Sequence, residues 1–346
     1  MTTCSSPSPA LLRRVADALR VRDWASCKLA FLMVCLGYAL LEMPVIGRTE
    51  LISISILFAL FYLLAGFGYA INSYADLEDD VLAGKPNAFS RMSAGVATAT
   101  IASVSGVTIV GSVAAASWFD SARLAFLIVV NVALAAAYSL RPIRCKERGV
   151  VGVAVSAVAQ RTLPALIVFD AFDIANTVTA ALVLLSTVVG VRYILVHQIK
   201  DYAADVGAGV HTMTTSMGLP AAETLLRRIV FPAELLSLAA TLALMGREQP
   251  AVLFAFGIFL VLALPQLISP ATTDPLPTRT YAALAGFYYL YWPVTLAVLA
   301  VSRDRELWPI VLVVIIWSSR RLEREVRVLV RAFRPASKYA RREAAH

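Results

Sequence analysis

The chain has 346 residues, of which 59% are hydrophobic and 16% are charged, and its mean hydropathy is +0.73. This composition excludes an ordinary soluble domain and places the protein among polytopic membrane proteins. The net charge of +8 lies mainly outside the apolar runs. It therefore reflects membrane orientation and attraction to anionic lipid, and we expect no nucleic-acid partner.

Apolar runs long enough to cross about 30 Å of hydrocarbon, at about 1.5 Å per residue, recur through most of the sequence. They predict an all-α, polytopic membrane protein. The last run is the shortest, and whether it crosses the membrane is left open. The predicted spans are residues 24–43, 51–75, 95–118, 121–140, 149–169, 174–196, 222–245, 250–269, 281–301 and 306–319.

Lys and Arg residues are divided unevenly between the two sides of these spans. Of the 31 in the chain, 24 lie on the side of the N terminus, five lie on the other side, and Arg161 and Arg192 lie within spans. Loops on the cytoplasmic side carry such an excess of positive charge. We therefore predict an integral protein of the cytoplasmic membrane, with both termini on the cytoplasmic side.

The charge and hydropathy patterns divide the chain into three parts. Residues 1–23 form a predicted cytoplasmic segment, and residues 24–302 form the transmembrane domain. Residues 303–346 combine a short hydrophobic segment with a basic tail. In this tail apolar residues alternate with arginines at helical spacing, which predicts an amphipathic helix on the anionic leaflet.

A cluster of carboxylates follows the second predicted span. Asn72, Asp76 and Asp80 are four residues apart, so a continuing helix would place them on one face. Like charges at this spacing repel unless a cation lies among them, and such oxygen donors suit Mg²⁺ bound to phosphate. The alternative is an acidic helix end in water. Lys85 and Arg91 follow, either to bind phosphate oxygens or only as flanking positive charge.

A short basic loop joins the fourth and fifth predicted spans. Arg141, Arg144, Lys146 and Arg148 exceed what topology requires, so the loop either binds an anion or only marks the cytoplasmic side. Arg161 follows inside the fifth span, where a charge in hydrocarbon usually faces a cavity or a partner. It either reaches the same site or forms a structural ion pair.

A second acidic cluster ends the sixth predicted span. Tyr193, His197, Asp201 and Asp205 again lie four residues apart, and Lys200 adjoins them. Two acidic helix ends on one side of the membrane are much less expected by chance than one. The pair therefore favours a metal–diphosphate site at the cytoplasmic surface. His197 is a metal ligand, a base for an acceptor or a hydrogen-bonded core residue.

Together the two motifs resemble the UbiA superfamily of intramembrane prenyltransferases. The resemblance covers residues 24–302 and includes two further patterns, Tyr138-Ser-x-x-Pro142-x-Arg144-x-Lys146 and Gly209-x-x-Thr212. It implies a nine-helix bundle around a laterally open cavity, here with an extra C-terminal helix. It also implies that Mg²⁺ is the cofactor and that an isoprenyl diphosphate binds with its chain in the bilayer.

The resemblance assigns a role to each matching residue. Asn72, Asp76 and Asp80 would hold one Mg²⁺, and Asp201 and Asp205 the other. The four carboxylates, together with His197, are the predicted catalytic groups. The predicted substrate-binding residues are Asn72, Lys85, Arg91, Tyr138, Arg144, Lys146, Arg161, Tyr193 and Lys200.

Three positions depart from the pattern of the quinone-type members. His197-Gln198 replaces Asn-Asp upstream of the second motif, Asn87-Ala-Phe-Ser-Arg91 replaces an Arg-Pro after the first, and His211 stands near the end of the second motif. These changes leave the metal carboxylates intact and leave the acceptor open.

The predicted activity is Mg²⁺-dependent transfer of a prenyl group to an aromatic or other lipid-soluble acceptor. One alternative is a membrane terpene cyclase, in which the aromatic residues of the ninth span steer a carbocation. Another is a phosphoribosyl-type transferase that acts on a polyprenyl phosphate. A transporter or lipid-binding scaffold is the alternative outside enzymes. The sequence fixes neither the prenyl chain length nor the oligomeric state.

Overall fold

The computed structural model of the chain describes residues 17, 19–20, 30–82, 84–268, 281 and 283–332. Across these ranges the regular elements are helices, and no strand occurs in them. This confirms the predicted all-α class. In chain order the helices are α1 Ala30–Glu42, α2 Arg48–Ala75, α3 Leu77–Leu82, α4 Ala94–Phe119, α5 Ala122–Ser139, α6 Val150–Ala171, α7 Thr177–Gly207, α8 Met213–Met217, α9 Leu219–Glu248, α10 Pro250–Ile268, α11 Ala283–Arg303 and α12 Trp308–Ala332.

Apolar helices follow the predicted spans closely. Among the described residues, 7 helices are long and apolar enough to cross a membrane by length and composition, and they are α2, α4, α5, α6, α7, α9 and α11. The shorter apolar helices Phe31–Glu42 and Pro250–Leu264 coincide with the predicted first and eighth spans. Residues 24–29 of the first span lie outside the described residues.

In the C-terminal part the predicted hydrophobic segment and the first part of the predicted basic tail form one helix. Helix α12 runs without a break from Trp308 to Ala332 and includes both. No glycine or proline follows Pro309 within it, so nothing in the backbone ends the helix at residue 319. An ion pair between Arg327 and Glu323, at 2.8 Å, lies along its polar half. Residues 333–346 of the predicted tail lie outside the described residues.

The chain divides into two compact units, Met1–Thr241 and Leu242–His346. In the first unit α2 packs against α4 and α5, and α7 packs against α6. In the second unit the aromatic residues of α10 and α11 pack on one another. Phe287 is fully buried there, with ring centroids 4.9 Å from Phe256, 5.4 Å from Phe259 and 5.1 Å from Trp292. The predicted boundaries at residues 23 and 302 stay predictions.

Candidate functional site

The first acidic motif lies where α2 ends. Asp76 caps α2 with φ −95° and ψ 4°, and the short helix α3 begins at the next residue. The motif is therefore not one continuing helix. The Asp76 N–H still donates to the Asn72 carbonyl at 3.0 Å, and the Asp80 N–H to the Asp76 carbonyl at 2.8 Å. The predicted four-residue register survives the break.

Two cations of the basic loop contact this motif. Lys146 Nζ and Arg144 both contact Asp76 Oδ1, with Arg144 at 3.3 Å, and Arg144 also pairs with Asp79 and Glu147. Arg144 is only 6% exposed. Burial lowers its pKa, but the carboxylates of Glu147, Asp79 and Asp76 outweigh burial and raise the pKa above its ordinary value. Arg144 is therefore a permanent positive charge among these carboxylates.

Close backbone approaches hold the basic loop in place. Gly149 has φ +56° and forms an isolated bridge with Thr212, which follows the second acidic motif. A Cβ atom on Gly152 would lie 2.6 Å from the Cys145 carbonyl oxygen, so only glycine fits there. The loop that carries Arg144 is thus packed against α6 and linked to the segment after α7.

The second acidic motif lies on α7, which continues through it to Gly207. Asp205 is buried, and its Oδ1 lies 3.5 Å from Lys85 Nζ. His197 Nε2 lies 3.6 Å from Asp201 Oδ2, and both side chains are exposed, by 68% and 43%. Since Lys85 belongs to the loop after the first motif, its contact with Asp205 brings the two motifs to one place in the first unit.

Neutral side chains complete the contacts of the first motif. Ser139 Oγ donates to Asn72 Oδ1 at 3.1 Å, and Asn87 Nδ2 donates to Asp80 Oδ2 at 2.8 Å. Sequence reasoning did not select Asp79, Ser139 or Asn87 as site residues. For Asn87 a local signal exists, because its side chain caps the short 3-10 helix Ala88–Arg91, a position that Asn favours.

Other predicted substrate-binding residues lie within the helices. Arg161 is buried in a π turn, Val158–Thr162, and its guanidinium carbon lies 4.9 Å from the centroid of the Tyr193 ring. Arg192 lies 4.4 Å from the same centroid and pairs with the fully buried Glu234. The ion pair of α7 with α9 is thus formed by Arg192, and Arg161 stacks on the tyrosine. Tyr138 is half-buried at the end of α5 beside Ser156.

Two of the predicted substrate-binding residues differ from Lys85, Arg144 and Lys146 in their contacts with the acidic motifs. Arg91 and Lys200 are exposed, and the described part of the chain shows neither of them paired with a carboxylate of either motif. Within the same ranges, no group of three His, Cys, Asp or Glu residues is arranged to hold a metal ion. Asp76 and Asp205 instead contact cations of the chain.

Residues 30–269 match the family model described as the UbiA prenyltransferase family. The chain belongs to the UbiA prenyltransferase family. Together with the seven long apolar helices, this membership identifies an integral membrane protein. No curated protein sequence matches the chain.

Solved structures of UbiA homologs share the fold at low sequence identity. A UbiA homolog from Archaeoglobus fulgidus has a TM-score of 0.57 and 13% identity, over 92% of this chain and 99% of that chain. The homolog bound to GPP and Mg²⁺ has a TM-score of 0.52 and 14% identity over the same shares. A structure from work on digeranylgeranylglyceryl phosphate synthase in membranes has a TM-score of 0.55 and 14% identity, over 85% of this chain and 99% of that one.

The UbiA fold places the two acidic motifs on helices that are far apart in the sequence. Helix α2 carries the first and α7 the second, and the contacts of Lys85 and of Gly149 with Thr212 connect their ends. The surroundings of each motif are therefore set by loops between helices.

Proposed function

We propose that this UbiA protein is a Mg²⁺-dependent intramembrane prenyltransferase. It ionises an isoprenyl diphosphate and transfers the prenyl group to a hydrophobic, aromatic acceptor dissolved in the lipid. The observation that carries the proposal is the contact of the two acidic motifs with three cations. Lys146 and Arg144 lie against Asp76, and Lys85 lies against Asp205.

The donor set of the two motifs fits Mg²⁺. Asn72, Asp76 and Asp80 offer amide and carboxylate oxygens at the end of α2, and Asp201 and Asp205 offer carboxylates at the end of α7. Hard oxygen donors of this kind bind Mg²⁺ together with substrate phosphates. The structures of the Archaeoglobus fulgidus homolog bound to GPP and Mg²⁺, and to DMAPP and Mg²⁺, support this assignment. Bound Mg²⁺ supplies positive charge for the departing diphosphate.

The chain's own cations would contribute to the same step. Lys85, Arg144 and Lys146 carry N–H donors that can move from carboxylate to diphosphate oxygens, which are acceptors of the same kind. When the allylic C–O bond breaks, its electron pair leaves with the diphosphate and the chain becomes a carbocation. Donors that already contact the diphosphate when this bond breaks stabilise the growing negative charge. The acceptor then forms the new carbon bond and releases a proton.

The helices beside the two motifs would hold the prenyl chain and exclude water. Tyr138 ends α5, and Tyr193 lies two turns before Asp201 on α7, so both aromatic side chains lie on the membrane side of the carboxylates. Arg161 stacks on Tyr193 and orients its ring. Water would capture the carbocation, so an apolar surrounding favours transfer to the acceptor.

The proposed orientation follows the distribution of positive charge. The mouth of the site and both termini lie on the cytoplasmic side, because the loops that carry Lys85, Arg144 and Lys146 belong to the side with the large excess of Lys and Arg. A water-soluble diphosphate head group would reach the carboxylates from the cytoplasm, while the prenyl chain enters from the bilayer.

Diphosphate release by the purified protein in lipid tests the proposal. Prenyl diphosphates of about 10 to 50 carbons, with and without Mg²⁺ and membrane lipid extract, would be compared for wild type, Asp76→Ala, Asp201→Ala and Glu78→Ala. Glu78 is an exposed carboxylate of the same segment and serves as the matched control. We expect Mg²⁺-dependent release that needs both aspartates and not Glu78.

Three outcomes would contradict the transferase. Cyclic hydrocarbon formed without an acceptor would identify a cyclase, and transfer of a sugar phosphate to a polyprenyl phosphate would identify the other transferase. If the wild type neither released nor bound any diphosphate with lipid extract present, the protein would be a transporter or scaffold.

A further inference from the structure

The Asp80 carboxylate is held by a buried amide from the loop that follows α3. Asn87 is only 7% exposed, and its Nδ2 donates to Asp80 Oδ2 and to the Ser73 carbonyl oxygen, at 2.8 Å each. Its Oδ1 accepts from the Phe89 N–H at 2.9 Å. These bonds use both donors and the acceptor of the side chain, a combination that an amide supplies and a carboxylate does not.

The bonds of Asn87 extend across the break between α2 and α3. Ser73 lies in the last turn of α2, where carbonyl groups need partners outside the helix, whereas Asp80 lies in α3. Asn87 therefore fixes the position of the Asp80 carboxylate relative to α2. The buried Phe89 ring packs edge-on against Tyr74, with centroids 5.6 Å apart, and anchors the loop that carries Asn87.

The same loop reaches the second motif. Gly84 has φ +66°, and the Lys85 N–H donates to the Asp80 carbonyl at 2.8 Å, so the chain reverses immediately after α3. Lys85 Nζ then lies 3.5 Å from Asp205 Oδ1. One loop is thus anchored on the first motif by Asn87 and contacts the second motif through Lys85.

We propose that Asn87 is a positioning residue that orients Asp80 for metal binding. This inference rests on the proposed function and adds a residue outside the predicted ligands. A neutral amide donates to one carboxylate oxygen without cancelling the negative charge, so Asp80 keeps its attraction for a cation while its rotation is restricted. Partners of this kind typically change metal affinity about 10- to 100-fold when they are lost.

Two substitutions separate positioning from simple support of the loop. Asn87→Asp keeps an acceptor for the Phe89 N–H and is a good helix cap, but it removes both donors and places a like charge beside Asp80. Asn87→Ala removes all three bonds. Ser90→Ala is the matched control, since Ser90 Oγ donates only to the Asn87 carbonyl, at 2.7 Å.

The measurement is the Mg²⁺ concentration that gives half-maximal binding of farnesyl thiolodiphosphate, an unreactive prenyl diphosphate analogue, to the protein in lipid nanodiscs. Thermal unfolding of each variant is recorded in parallel. We expect this concentration to rise about 10- to 100-fold for both Asn87 variants and to change less than about twofold for Ser90→Ala. The rise should appear in Asn87→Asp even when its unfolding temperature equals that of the wild type.

If Asn87→Asp binds like the wild type while Asn87→Ala is impaired, Asn87 only caps the loop and the inference is overturned. Tighter Mg²⁺ binding by Asn87→Asp would also overturn it. If the wild type shows no Mg²⁺-dependent binding of prenyl thiolodiphosphates of any length, the proposed function fails as well. If the wild type shows Mg²⁺-dependent binding and the Asn87 variants bind equally well, this inference is refuted but the proposed function is not.

Discussion

The ends of α2 and α7 carry aspartates at the same four-residue spacing, but their surroundings differ. At α2 the helix breaks, and Asp76, which is 16% exposed, contacts Lys146 and Arg144. At α7 the helix continues, and Asp201, which is 43% exposed, lies near the exposed His197 of its own helix, while the buried Asp205 contacts Lys85. Charge repulsion is relieved by the basic loop at Asp76 and mainly by water at Asp201.

This difference suggests different dependence of the two motifs on the rest of the fold. The first motif is part of a network of ion pairs and amide bonds, so a change there affects stability and binding together. In the second motif Asp201 lies on an exposed helix surface, so its loss affects binding with little effect on stability. The predictions below test this contrast, beginning with the largest expected effect.

Asp76→Asn should reduce Mg²⁺-dependent diphosphate release by more than about 100-fold, because a charge that stabilises the transition state is lost. It should also lower the unfolding temperature by about 4 °C or more, since Lys146 and Arg144 lose the carboxylate charge that they share. Asp201→Asn should reduce release similarly but leave the unfolding temperature within about 1 °C of the wild type. Equal thermal shifts in the two variants, recorded by differential scanning fluorimetry, would remove the contrast.

Arg144→Met should weaken prenyl thiolodiphosphate binding by about 10- to 100-fold, because a charge-assisted donor is lost and Asp79 and Glu147 lose their partner. Arg148→Met is the matched control in the same loop, because Arg148 is exposed and donates to the Pro142 carbonyl at 3.1 Å. Isothermal titration in nanodiscs measures both. Comparable losses in the two variants would mean that the loop contributes only general positive charge.

Lys85→Met should have effects of opposite sign under two conditions. Without diphosphate it should strengthen Mg²⁺ binding by about two- to fivefold, because the cation that contacts Asp205 is gone and partly exposed pairs contribute about 0.2–1 kcal/mol. With thiolodiphosphate present it should weaken binding by a similar factor, since a phosphate donor is lost. A change of the same sign in both titrations would argue against a lysine that moves from carboxylate to diphosphate.

His197→Ala should have the smallest effect. The Mg²⁺ concentration that gives half-maximal analogue binding should rise about two- to threefold, because an exposed pair of side chains four residues apart on a helix interacts weakly. The pH profile of diphosphate release should keep its shape. A loss of Mg²⁺ affinity above about tenfold, or a shift of the pH profile of diphosphate release, would instead identify His197 as a metal ligand or as the base for the acceptor.

The sequence predicted the spans and the two motifs because both depend on local patterns. Apolar runs located most of the long helices to within a few residues, although α7 continues to Gly207, beyond the predicted end at residue 196, and the four-residue spacing located Asn72, Asp76 and Asp80. The break at Asp76 could not be predicted, since it depends on contacts with a loop about 70 residues further along the chain.

Contacts between segments that are far apart in the sequence were also not predicted. Arg161 and Arg192 are equivalent in the sequence as arginines within spans, but only the fold shows that Arg192 contacts Glu234 and that Arg161 stacks on Tyr193. The role of Asn87 is similar. Its cap position is local, but its bonds to Ser73 and Asp80 depend on the reversal of the chain at Gly84.

The number of divalent ions bound with the substrate analogue tests the central claim most directly. Electron paramagnetic resonance would count Mn²⁺ ions bound per protein in nanodiscs with farnesyl thiolodiphosphate, for wild type, Asp76→Asn and Asp205→Asn. We expect about two ions in the wild type and loss of at least one in each variant, because each motif would hold one ion. Mn²⁺ binding that is absent in the wild type, or unchanged by both substitutions, would contradict it.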